Sequence, residues 1–238
     1  MKDSEQKQYL VCERRSTYAL LMAAAGMMGA YTFTLRGGVF CNAQTANFVM
    51  MAVDFGQGDW LKGIYYLIPV SAYFSGAFLS EILPNPVKRA GCLRWDTCLI
   101  GFETVILFMI GLIPLSYPDH LVQVIINFIA SMQYNTFRQA NGVPMATTFC
   151  TNHLRQMGIA LAKAIRKKDC SFLKRQLIHG SMILSFFSGG VLLSFSGRLL
   201  QEKAIWLALI PLLILFLKMV HADLTVERDL LKNTPSGH

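Results

Sequence analysis

Charge is scarce in this sequence. Asp, Glu, Lys and Arg make up 15% of its 238 residues, where a soluble domain carries about 25%. Too few charges are left to cover a soluble surface. Catalytic and metal-binding patterns are missing as well. The six cysteines (Cys12, Cys41, Cys92, Cys98, Cys150, Cys170) contain no C-x-x-C pair and no His/Cys ligand spacing. Their ordinary role is then that of small buried hydrophobes, and no metal site is expected. G-x-S-x-G, H-E-x-x-H and a paired-Asp motif are missing too. The nucleophile and base on offer are a Ser or Thr with His153, so no catalytic residue is assigned and the chain is expected not to be an enzyme. It has no phosphate-binding loop, so ATP-driven transport would need a separate subunit, and no cofactor is expected. No short apolar stretch is followed by a small-residue cleavage site, so the first apolar segment is expected to stay as a span.

What the chain has is hydrocarbon. Hydrophobic residues make up 53% of it, its mean hydropathy is +0.41, and its apolar runs have the length of bilayer spans. The expectation is an all-α, multi-pass protein of the cell membrane. The net charge of +8 does not point to nucleic acid, because Lys and Arg sit at the ends of apolar segments and in one short run. That pattern fits the positive-inside rule and attraction to anionic headgroups. The partners expected are membrane lipids and a small-molecule substrate, with a homo-oligomer left open.

In chain order, residues 1–16 read as a cytoplasmic tail and 17–35 as a span rich in Ala, Gly and Met. A polar break, Gly37-Gly38 to Asn47, leads into a short apolar helix ending near Phe55. Residues 64–83 form a span with Pro69 inside it, closed by Pro84-Asn85-Pro86 and a basic loop with Lys88, Arg89 and Arg94. Spans are expected again over 97–115 and 121–137, then a second polar break from Asn141 to His153 and an amphipathic stretch over 149–165. Arg166-Lys167-Lys168 and Lys174-Arg175 make the strongest basic run. Residues 177–195 and 204–217 are the last spans, and a charged tail begins at Lys218.

Two halves resemble each other. Thr32-Phe33 and Gly38-Val39 match Thr136-Phe137 and Gly142-Val143, and Tyr73-Phe74-Ser75-Gly76 matches Phe186-Phe187-Ser188-Gly189. Residues 17–117 and 118–220 are therefore read as two membrane repeats, followed by a cytoplasmic tail over 221–238. If the short helices at 45–56 and 149–165 cross the bilayer there are eight spans and the repeats are parallel; if not, there are six and the repeats are inverted. Counting Lys and Arg with six spans places four before the first span, three at 88–94, eight over 138–175 and three in the tail on the inside. Arg36, Lys62, Arg198 and Lys203 fall outside. That asymmetry favours six spans with a cytoplasmic N-terminus.

Asn, Gln and Thr are costly in hydrocarbon unless hydrogen-bonded, so two polar breaks at matching places point to a lined site. The candidate substrate contacts are Asn42, Gln44, Thr45 and Asn47 at the first break. At the second they are Gln133, Asn135, Thr148, Thr151 and Asn152. Glu103, centred in an apolar span, is the candidate coupling residue. His153 and Arg155 lie two apart on one helix and so face different ways.

Gly26-Met27-Met28-Gly29-Ala30-Tyr31, Gly37-Gly38-Val39-Phe40 and Gln44-Thr45-Ala46-Asn47 ahead of Gly56-Gln57-Gly58-Asp59-Trp60 resemble the first half of the YoaK / DUF1275 membrane proteins. Ser131-Met132-Gln133-Tyr134-Asn135 and Thr147 to Thr151 resemble that family's second signature. Ala46 and Asn152 stand where the family has Gly. The resemblance runs from about Ser16 to Val220 and implies a polytopic membrane protein, leaving its activity open. The residues themselves are read as a secondary transporter or permease, and the alternative is a non-transporting scaffold or lipid-interacting protein.

Overall fold

The computed structural model describes residues 9–231 and Pro235. Lys2, Lys7 and Lys232 of the two expected tails lie outside the described residues. After a short 3-10 turn, Val11–Glu13, comes α1 (Arg15–Leu35), whose Ala, Leu and Met residues favour helix. It ends at Gly37 and Gly38, with φ of 76° and 75°, a left-handed conformation that glycine alone takes without strain. Then follow α2 (Gln44–Gly56), α3 (Trp60–Tyr65) and α4 (Leu67–Ile82). The interruption at Tyr66 has a local cause: Pro69 has no N–H to give to the carbonyl four residues before it. α5 (Pro84–Ala90), α6 (Trp95–Ile110) and α7 (Asp119–Thr136) follow.

After α7 the chain makes a two-stranded hairpin, β1 (Gln139–Ala140) against β2 (Val143–Pro144), turned by Asn141 and Gly142 at φ of 48° and 72°. Asn-Gly with both residues at positive φ is the favoured tight hairpin turn. The fold ends with α8 (Thr151–Lys167), α9 (Ser171–Leu200), a 3-10 stretch over Gln201–Ala208 and α10 (Leu209–Leu224).

Contacts between distant residues sort the element ends into two faces. At one face Tyr18 donates to the Gln139 carbonyl and the Asn141 amide to that of Glu13. There too Trp95 donates to Thr136 at 2.9 Å, and Arg94 lies 3.2 Å from Asp223. At the other, Arg36 meets the carbonyls of Ile113 and Pro114, Tyr31 donates to the Glu202 carbonyl and Trp206 to that of Phe108. Between these faces α1 packs chiefly on α9 and α4 on α7. Both crossings are close because of glycine: a Cβ on Gly189 would stand 2.2 Å from the Ala23 carbonyl oxygen, and one on Gly76 2.3 Å from that of Phe128. Small residues permit this approach without side-chain interdigitation.

The core is apolar, built on Leu21, Met22, Met28, Ile100, Ile126 and Leu212, all at 0% exposure. The outside is apolar as well: Phe74, Leu177 and Leu199 are among the exposed large side chains. Hydrophobic residues on both the interior and the exterior are what a bilayer requires and water opposes. Three helical stretches among the described residues, Arg15–Leu35, Trp60–Arg89 and Ser171–Leu224, are long and apolar enough to cross a membrane.

Several local expectations need correction. The second break holds a β-hairpin, so the fold is not purely helical. Pro84 begins α5 instead of closing the chain's helical course, because the first turn of a helix has no use for the N–H that proline lacks. Lys88 and Arg89 ride on α5, and Arg94 is buried against Asp223, not part of a solvated basic loop. α6 stops at Ile110, short of Leu115. Ala204 lies in the 3-10 stretch, and α10 runs past Lys218 to Leu224, with Asp223 buried.

Candidate functional site

The first break is mostly closed by its own hydrogen bonds. Asn42 Nδ2 donates to the Ala25 carbonyl at 2.7 Å and its Oδ1 accepts from Cys41 Sγ at 3.0 Å. Asn47 Nδ2 donates to Gln44 Oε1 (2.9 Å), Gln44 Nε2 to Asn127 Oδ1 (2.6 Å), and Asn127 Nδ2 to the Gln123 carbonyl (2.7 Å). Gln123 Nε2 in turn donates to the Arg36 carbonyl at 2.7 Å. A relay of amides thus ties the break to α7, each buried polar atom meeting a partner as the low dielectric demands. Thr45 faces outward, exposed, and takes no part.

The second break differs. Thr147 and Thr148 are at 0% exposure, and neither hydroxyl has a hydrogen-bond partner. Gln133, at 0% on α7, has both amide atoms unpartnered. Glu103 is fully buried, and neither carboxylate oxygen is bonded; it shares the interior face of α6 with Leu99, Ile100, Leu107 and Ile110. Buried polar atoms are nearly always paired, so each orphan calls for a reason. Asn135 and Asn152 are engaged: Asn135 donates to Ser80 at 2.8 Å, and Asn152 accepts from Arg155 at 2.9 Å.

The breaks meet at a cavity of about 870 Å³. Asn42 and Ala43 reach it from the first break, and Thr148, Phe149, Cys150 and Thr151 from the second. Residues 26–34 of α1 and 183–198 of α9 supply its long walls. Of the nine expected substrate contacts, the structure brings Asn42, Thr148 and Thr151 to one cavity. Gln44 and Asn47 lie in the amide relay, and Thr45, Gln133, Asn135 and Asn152 lie off the cavity lining. Glu103 is also off it.

Other buried polar groups lie outside the expected set. His153, at 0% exposure, gives its Nε2 proton to the Ala146 carbonyl (2.8 Å), since a carbonyl only accepts. Its Nδ1 stands 3.0 Å from His179 Nδ1. Paired this way, His153 has no Ser or Thr beside it among its hydrogen bonds. Gln123 and Asn127 were visible in the sequence as two amides four apart in an apolar run, hence on one helix face. Arg36 carried no such signal. Its partners are loop carbonyls far along the chain. Among the described residues no cluster of three or more metal-ligating side chains occurs.

The model of the family described as "Protein of unknown function (DUF1275)" matches residues 17–218. The chain belongs to that family. It is also 18% identical over 224 residues to "UPF0700 transmembrane protein YoaK" of Bacillus subtilis (strain 168), covering 91% of this chain and 97% of the relative. No solved structure matches. As a DUF1275/YoaK member with an apolar exterior and apolar helices, it is an integral membrane protein.

Proposed function

We propose that the protein is a secondary-type transporter or permease for a small molecule, with six spans in two halves related by inversion. The observation that carries this reading is the cavity of about 870 Å³ where the two breaks meet, with the buried, unpartnered Thr148 hydroxyl in its wall. Small-molecule sites run from about 300 to 1,000 Å³, apolar with a few placed polar groups. Irregular backbone at membrane depth is tolerated where it lines a cavity, and broken helices are where many secondary transporters bind.

Six spans are supported by the two faces. α1 ends and α3 ends on the same face, as Arg36 and Tyr65 both reach Gln123, so α2 and α3 together do not cross. α7 ends and α9 begins on the opposite face, so α8 does not cross either. Three crossings in the first half start the second half from the other side, which inverts it. The packing supports the repeat: α1 on α9 and α4 on α7 exchange under a two-fold axis. Gly76 and Gly189, matched in the repeated Phe-Ser-Gly, hold the two close crossings. The basic residues of α5 and α8 gather at the N-terminal face, making it cytoplasmic by the positive-inside rule. Glu103, buried with no partner of its own, is the coupling residue in this scheme, since intramembrane carboxyls mark ion and proton paths.

The amide relay of the first break favours a second reading, a scaffold with satisfied polar groups and no transit. Cys150 separates the two. It lines the cavity and is half-buried. In intact membranes a small water-borne methanethiosulfonate is expected to modify Cys150, measured against a Cys150→Ser control, and Thr148→Trp should block that reaction by filling the cavity. Cys150 silent in the membrane but reactive in denaturant would mean a groove that water never enters, and transport would be abandoned.

A further inference from the structure

Resting on the transport reading, we infer that the cavity takes a single-chain organic anion, an apolar chain carrying one carboxylate. Its length is set by α9, which lines it from Ile183 to Arg198, fifteen steps of helix or about 22 Å. Over that length the lining is mainly aromatic and aliphatic, with Thr34 and Ser194 among it: Phe33 stacks on Phe40 at 4.6 Å, and Phe186, Phe187 and Phe195 follow along α9. No acidic side chain lines it. Its single charged side chain is Arg198, at the mouth where Gly197 of α9 meets Leu35 of α1.

Arg198 has no ion-pair partner among the described residues and is exposed on the cavity's rim. A guanidinium there matches a carboxylate in two parallel hydrogen bonds. At the other end stand Asn42, Thr148 and Thr151. Asn42 Nδ2 is held by the Ala25 carbonyl at the level of Gly29, the Thr148 hydroxyl is buried in the wall without a partner, and Thr151 is exposed to the groove. A long apolar groove, open along the side where Phe33, Phe187 and Phe195 are exposed, with a cation at one end selects chain length and charge together. A polar metabolite would leave its hydrogen-bonding groups unpaired against phenylalanine, and a cation would face Arg198.

The test is binding of radiolabelled hexadecanoate to the full chain in phosphatidylcholine nanodiscs, beside hexadecan-1-ol of equal length. Expected is saturable binding near one per chain, at least tenfold weaker for the alcohol, and a loss of about tenfold for hexadecanoate in Arg198→Gln with Arg198→Lys intermediate. Arg198 is exposed, so its substitution leaves the fold intact, and unchanged melting temperature checks this. Equal affinity for acid and alcohol, or no effect of Arg198→Gln, overturns the proposal. So does loss of hexadecanoate binding in phosphatidylglycerol nanodiscs, which would assign the cavity to bilayer lipid. If hexadecanoate fails but Cys150 still reacts from water, the ligand class is wrong and the transport reading stands.

Discussion

Arg36 is buried to 0% exposure at the end of α1, with Nη1 on the Pro114 carbonyl (3.1 Å), Nη2 on that of Ile113, and Nε on the Tyr31 hydroxyl (3.2 Å). Asp119 is 3.9 Å away and 40% exposed, so the screened ion pair adds little. The charge-assisted bonds to carbonyls hold the α6–α7 loop to α1. Arg36→Gln is expected to cost about 3 kcal/mol by leaving those carbonyls buried without donors, while Asp119→Asn costs under about 1 kcal/mol. Thermal unfolding in detergent measures both. The sequence reading places Arg36 among the outside loop charges, and no residue near it in the chain betrays the burial. Asn42 and Thr148 were within reach of sequence, because polar side chains in an apolar run must find partners or a cavity. Which of the two they find depends on remote elements: Asn42 meets Ala25 and Thr148 meets nothing.

Helix packing decides more at the scale of elements. Both close crossings set a glycine on a backbone carbonyl, an atom that cannot swing aside. Gly76→Ala and Gly189→Ala should each lower stability by about 1–3 kcal/mol. Gly190→Ala, whose Cβ would lie at an ordinary 3.5 Å from the Gly26 carbonyl oxygen, should be near neutral. Three melting curves test the contrast, and equal losses at all three would show that these crossings are not tight. The long helices were readable from their apolar runs, since nothing else in a chain this poor in charge competes with them. The β-hairpin is hidden although Asn141-Gly142 is a strong local turn signal, because polarity next to an apolar span reads equally as a broken helix. Pro84 is ambiguous for a related reason. A proline marks an end and a beginning equally, and only Leu83, carrying helical φ and ψ into α5, tells them apart.

For the whole molecule, topology is open to a chemical test. Cys92 and Cys170 are exposed at the N-terminal face, between α5 and α6 and at the start of α9. Cys12 shares that face but is buried to 4%, and its thiol pKa is raised well above the ordinary range, first by burial and then by the charge of Asp96. A bulky impermeant maleimide should spare intact cells and label Cys92 and Cys170 once the membrane is opened, with Cys12 silent. Labelling of both before permeabilisation would put the N-terminal face outside.

The packing of α1 on α9 and of α4 on α7 also sets a timetable for biosynthesis. When α1 leaves the ribosome, the surface of Ala23 and Gly26 that α9 will cover has no cover for more than 140 residues of further translation. α1 and α4 can enter the bilayer as they are made, yet the close crossings at Gly189 and Gly76 await α9 and α7. Insertion and assembly are therefore separate events for this chain.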